Sequence, residues 1–211
     1  MEKMPYQEQQ QPTFGSQAFD WHFGLPTIRG HKVTLREVRD SDAEALLTML
    51  TSEEVAEFIS PLPQTIEGFS SFISEVHNER LLGNSFCYGI VPDGYEDAMG
   101  LFQVRQLEPG FGSAEWGFAL GSPFWGSGIF LEGARAVIDF SFGTVGVHRL
   151  EARSISSNGR GNAALRKCGA MQEGILRRSF NRNGRYLDQI LWSILKEDWR
   201  TAKGVWGPKL H

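Results

Sequence analysis

Three groups in this chain of 211 residues have the residue types and spacing to do chemistry. The first is Gly126-Ser127-Gly128, which separates a strand-like run from a helix-like run. Glycines at such a junction let the backbone close on an anion, and the free N–H groups of the next helical turn point at it. A pyrophosphate is a natural guest. A lone GxG is also the signature of an ordinary strand–helix turn, so the motif needs company. The Rossmann pattern would place a third glycine at 131, where Leu131 stands, and the Gly-Lys-Ser/Thr of a Walker loop is absent. Nucleotide hydrolysis therefore loses its main support.

The second group is Glu115, a carboxylate within the apolar run Ala114-Glu115-Trp116-Gly117-Phe118 that leads to the glycine turn. Facing a cleft, it would be partly buried and suited to general-base work; facing solvent, it is an ordinary strand residue. The third is Asn158, at the mouth of a later helix. Asparagine is a favoured N-cap, and its amide can also bond a peptide-like ligand emerging between two strands.

The elements that must position these groups follow from periodicity. His31 to Glu37 reads as a strand. Ser41-x-x-Glu44 and Thr51-x-x-Glu54 read as capping boxes opening two helices, and a third helix spans about 65–82. Strands are expected near 84–91, 97–107 and 113–121, then a helix from the glycine turn to Phe142-Gly143. A strand over 148–154 and a helix from Asn158 to Cys168-Gly169 come next. A hairpin of 170–180 and 185–195 turns at Asn181-Arg182-Asn183-Gly184. This order describes an α+β, three-layer fold: a mixed, mostly antiparallel sheet with helices on both faces.

Residues 1–28, with Gln7, Gln9, Gln10, Gln11 and Gln17, read as a flexible arm onto which the aromatics Phe19, Trp21 and Phe23 offer apolar anchors. A single domain is expected over 29–200, with a tail over 201–211. Apolar residues make up 41% of the chain, enough for a sizeable core, and the net charge of −4 argues against a nucleic-acid groove or an anionic-membrane surface. No apolar run is long enough to span a bilayer, and the polar N-terminus does not resemble a secretory signal. Cys87 and Cys168 lie far apart without framework spacing and read as reduced thiols, which points to the cytoplasm.

Taken together, Pro123-Phe124-Trp125-Gly126-Ser127-Gly128, the upstream Ala114-Glu115, and Asn158-x-Arg160-Gly161-Asn162 closing on Lys167-Cys168-Gly169-Ala170 resemble the GNAT superfamily of acetyltransferases. More narrowly, with Val33-Thr34-Leu35-Arg36, Asp40-Ser41-Asp42-Ala43 and Glu197-Asp198-Trp199, they resemble its RimJ/RimL branch. The match covers about residues 30–199.

The resemblance implies transfer of acetyl from acetyl-coenzyme A to a primary amine, on a peptide N-terminus or a small molecule, with no metal. It implies a sheet split between two central parallel strands, 113–121 and 148–154, diverging beyond Gly117. Backbone amides at Trp125, Gly126, Ser127, Gly128 and Ile129 would hold the pyrophosphate. Phe118, Ala119 and Leu120 would line the pantetheine arm, with an amide near Ala119 facing the thioester carbonyl. The family asparagine falls on Asn158, with Asn162 as a secondary candidate, and the glutamate base on Glu115. The branch serine that protonates the leaving thiolate falls on Gly161, with Ser156 and Ser157 as nearby hydroxyls. Members of the branch often dimerise, so a homodimer is an option. The competing class is a non-catalytic module that senses or holds acyl-coenzyme A.

Overall fold

The computed structural model describes residues 19–206. In chain order these form β1 (Ile28–Arg29), β2 (Val33–Glu37), α1 (Ala43–Leu50), α2 (Glu53–Ala56), α3 (Ile66–Leu81), β3 (Ser85–Pro92), β4 (Gly100–Gln106), β5 (Ser113–Leu120), α4 (Ile129–Phe140), β6 (Arg149–Ile155), α5 (Gly159–Lys167), β7 (Met171–Arg182), β8 (Arg185–Leu195) and α6 (Lys196–Trp206). One sheet contains the strands in the order β1-β2-β3-β4-β5-β6-β8-β7. Every pairing is antiparallel except β5 with β6. The mixed, mostly antiparallel sheet expected from the element order is the observed one.

Strand alternation divides the core in two. Phe86, Tyr88 and Ile90 of β3, with Phe102 and Val104 of β4, face α4 and pack on Ala134, Val137 and Ile138. Cys87, Val91 and Leu101 face the other way, against Leu46 and Leu50 of α1 and Phe69, Ile73 and Val76 of α3. Helices on both faces follow from strands that are apolar at odd and even positions alike. Beneath α1, Asp42 is fully buried and takes hydrogen bonds from Arg36 Nη1 and Nη2, both at 2.7 Å, and from the N–H of Arg39 and Ala98. Burial alone would push its carboxyl up, but these donors hold it below the usual carboxylate range.

Several local expectations change. Ser41 and Glu44 do not form a capping box; the Asp42 carboxylate instead accepts from the Arg39 backbone and opens a 3₁₀ turn ahead of α1. Ser52, without a side-chain cap bond, precedes α2, while Thr51 Oγ1 bonds back to Leu47 O. In the first case Asp42 takes the place expected of Ser41, and in the second the preceding helical turn has claimed the Thr51 hydroxyl. Thr65 does cap α3, accepting from Gly68 N at 3.0 Å. Of the early aromatics Trp21 is buried against Phe86 and Phe111, whereas Phe19 and Phe23 are exposed. The arm's residues 1–18 lie outside the described ones. The tail expected from 201 begins inside α6, which Trp199 anchors through Nε1 to Asp139 Oδ1 at 2.6 Å.

Candidate active site

The central feature is a break in the sheet. β5 and β6 pair only over Ser113↔Arg149, Ala114↔Leu150 and Glu115↔Glu151, although β5 runs on to Leu120 and β6 to Ile155. The split opens after Glu115, two residues earlier than expected. Beyond it β5 keeps β4 and β6 keeps β8, so each strand turns one unpaired edge to the gap. Exposed strand edges are sites where an extended, amide-bearing ligand can add.

At the top of the gap lies the glycine turn. Gly126 and Gly128 have φ of 75° and 90°, the left-handed region that favours glycine. Ser127 turns its hydroxyl inward, donating to Phe124 O at 2.6 Å and accepting from Ile129 N at 3.3 Å. Lys32 Nζ donates to Ser127 O at 2.8 Å, which seats a cation beside the N-terminus of α4. The first-turn amides of that helix have no intrahelical acceptor, and its dipole adds positive potential.

A cavity of about 840 Å³ extends from this turn down to the split. Phe118, Ala119, Leu120, Trp125, Gly126, Gly128 and Asn158 all line it, so most of the residues singled out from the sequence converge on one space. Ser127 and Ile129 do not line it: the first is bonded within the turn, and the second is buried in the core. Trp125 donates through Nε1 to Leu120 O at 2.8 Å, and the Arg160 guanidinium lies 3.7 Å above its ring centre. That stack bridges the turn and α5.

Asn158 caps α5, its Oδ1 accepting from Gly161 N at 2.8 Å. Among the described residues its Nδ2 has no acceptor, which leaves an amide donor at the cavity wall. At Gly161, the position expected to carry a serine, an added Cβ would lie 2.5 Å from Asn158 Nδ2, so a side chain there requires the Asn158 amide to shift. Ser156 and Ser157 are exposed and line no part of the cleft. Asn162 belongs to the scaffold, its Nδ2 donating to Asn158 O at 2.8 Å and Ile155 O at 3.0 Å while its Oδ1 accepts from Trp192 Nε1 at 2.9 Å.

Through the split, on the α1–α3 side of the sheet, lies a second chamber of about 450 Å³. It shares Phe58, Ile59, Phe118, Ala119, Asn158 and Gly161 with the first. Glu115 is on its wall, directly opposite Arg105 across the β4–β5 ladder. Arg105 donates to Glu115 Oε2 from Nε at 2.9 Å and also from Nη2, and Arg153 Nε approaches Oε1 at 3.6 Å. The carboxylate thus faces a cleft, as a base must, while two guanidiniums hold it. Arg105, Arg153, Arg160 and Lys167 are cations lining the cleft, with Lys32 beside its glycine turn, and none of them was assigned a role from the sequence. Arg160, in the same motif as Asn158, carried the only local cue; Lys32 reaches the turn from a distant strand end.

Comparison with known proteins agrees with this geometry. A family model described as the acetyltransferase (GNAT) domain matches residues 32–171. The chain is 25% identical over 176 residues to the uncharacterized N-acetyltransferase p20 of Bacillus licheniformis, covering 83% of this chain and 99% of that one. It is 22% identical over 165 residues to a spermidine N(1)-acetyltransferase of Vibrio cholerae, covering 78% and 94%. Mycobacterium smegmatis RimJ, solved with coenzyme A disulfide, superposes with a TM-score of 0.69 at 24% identity over 82% of this chain and 89% of that one.

Proposed function

The chain belongs to the acetyltransferase (GNAT) family, and from that premise we propose that it transfers acetyl from acetyl-coenzyme A to a primary amine. The observation that carries the reading is one continuous passage: a glycine turn with free helix amides at one end, an open strand edge in the middle, and an ion-paired carboxylate beyond the split. The residues fit the coenzyme by chemistry and size. Amides of the turn and the start of α4, aided by Lys32, suit a pyrophosphate. The unpaired edge over Phe118, Ala119 and Leu120, with the free Nδ2 of Asn158, suits the amides of a pantetheine arm.

Acetyl-coenzyme A supplies an activated acetyl carbon whose C–S bond breaks as the new C–N bond forms. The protein's part is to hold the amine, relieve it of a proton and exclude water. An alkylammonium has a pKa of ~10, so a base must help expose its lone pair. Glu115 is the carboxylate placed for that task, directly or through water. A backbone N–H near Ala119 would face the thioester carbonyl and stabilise charge growing there. The motif from Asn158 to Ala170 supports the RimJ/RimL branch, and the unpaired, buried thiols of Cys87 and Cys168 suit a cytosolic home.

The test is thiol release from acetyl-coenzyme A in the presence of a panel of amines, with calorimetry of coenzyme binding alongside. Release that depends on the amine supports the transferase. Tight binding without release by any amine would leave the non-catalytic holder of acyl-coenzyme A.

A further inference from the structure

The chemistry of the acceptor is read from the second chamber, beyond the split. Its titratable wall groups are Arg105, Arg153 and Glu115, two cations against one anion. Glu115 occupies Arg105 through Nε and Nη2, but it meets Arg153 only at Nε. Among the described residues no hydrogen bond uses the Arg153 Nη groups, and this side chain is 41% exposed. Arg182 Nη1 donates to the backbone oxygen of Ile59, a residue of the wall, at 2.8 Å and so holds a third guanidinium beside the chamber.

The wall therefore presents net positive charge, with aromatic sides from Phe58, Phe72 and Phe180. A polyamine would meet like charge here.

Resting on the reading of this passage as an acetyltransferase cleft, we infer that the acceptor is an amine with an oxyanionic group, carboxylate or phosphate, a few bonds from its nitrogen. Arg153 is the residue that selects it. A guanidinium matches either anion with paired N–H donors.

The test uses matched pairs, alanine with alaninamide and phosphoethanolamine with ethanolamine, plus spermidine as a polycation. The wild-type protein should acetylate the anionic member of at least one pair with a higher kcat/KM than spermidine, and the preferred pair identifies the anion. Because the paired amines differ in basicity, the deciding quantity is the anionic-to-neutral ratio of kcat/KM across variants. Arg153→Gln should lower that ratio about tenfold or more, chiefly through KM, and Arg153→Lys should retain most of it. Preference for spermidine, or a ratio unchanged by Arg153→Gln, overturns the inference alone. Absence of transfer to every amine despite coenzyme binding overturns the transferase reading and the inference with it.

Discussion

Gly128 and Glu115 stand at the two ends of the passage, and their substitution is expected to separate binding from chemistry. At φ 90° Gly128 cannot take a β-branched side chain without strain, and a Cβ would come within 3.3 Å of Lys32 Nζ. Gly128→Val is expected to weaken acetyl-coenzyme A binding measured by calorimetry, with thermal unfolding as the check that the fold survives. Normal affinity in a folded Gly128→Val protein would put the phosphates elsewhere. Glu115→Gln keeps the shape of the side chain but removes the charge that Arg105 and Arg153 grip. Coenzyme affinity should persist while turnover falls by ~10²–10⁴-fold, the usual worth of a general base. Thiol release followed from pH 6 to 10 decides it: an unchanged rate and pH profile would make Glu115 a clamp for the arginines.

Among the elements, β2, α1 and the loop before β4 converge on one buried ion pair. Asp42 joins Arg36 of β2 to the N–H groups of Arg39 and Ala98, and neither Arg36 nor Asp42 reaches solvent to any extent. Asp42→Ala would strand a guanidinium in the interior, and breaking such a pair costs about 3–5 kcal/mol. Chemical denaturation should register that loss, and a loss under about 1 kcal/mol would mean water reaches Arg36. Asp42 also shows how a sequence pattern misleads locally. Asp40-Ser41-Asp42-Ala43-Glu44 carries a capping signature, yet the side chain that closes the turn is the one drawn into the core. Asn158 is the opposite case, a capping residue both by sequence and in the fold.

For the whole molecule, pH acts at both ends of its range. Glu173 is held at about 2 by hydrogen bonds from Arg149 and Ser193. A depressed carboxyl contributes stability that is present above its unfolded pKa of ~4.3 and is lost as pH falls towards the folded value. Asp42 acts in the same direction. Burial pushes the thiols of Cys87 and Cys168 up to about 12. Their protonated forms favour the fold, and that contribution fades as pH rises above the unfolded thiol pKa of ~8.5. Melting temperature should therefore fall below pH 4 and again above pH 9. At pH 8 neither thiol should react with a disulfide reagent until denaturant is added, so the protein adds no background to a thiol-release assay. Rapid native-state labelling would show that the helices open over these cysteines.

The sequence alone determined the order of elements, the glycine turn, the cap at Asn158 and the alternation that places Glu115 on the face opposite Ala114 and Trp116. Each depends on neighbours within a few residues: strand parity, a left-handed glycine, an N-cap side chain. Tertiary structure alone decided where β5 and β6 part, because register between strands more than thirty residues apart is set by how the whole sheet packs and not by either strand. It alone brought Lys32 to the turn, Arg160 over Trp125, and Arg105 and Arg153 onto one carboxylate. Asn162 went to the scaffold because only the folded chain puts Trp192 within reach of its oxygen. Charges find their partners across strands and layers, and those distances are written in no local pattern.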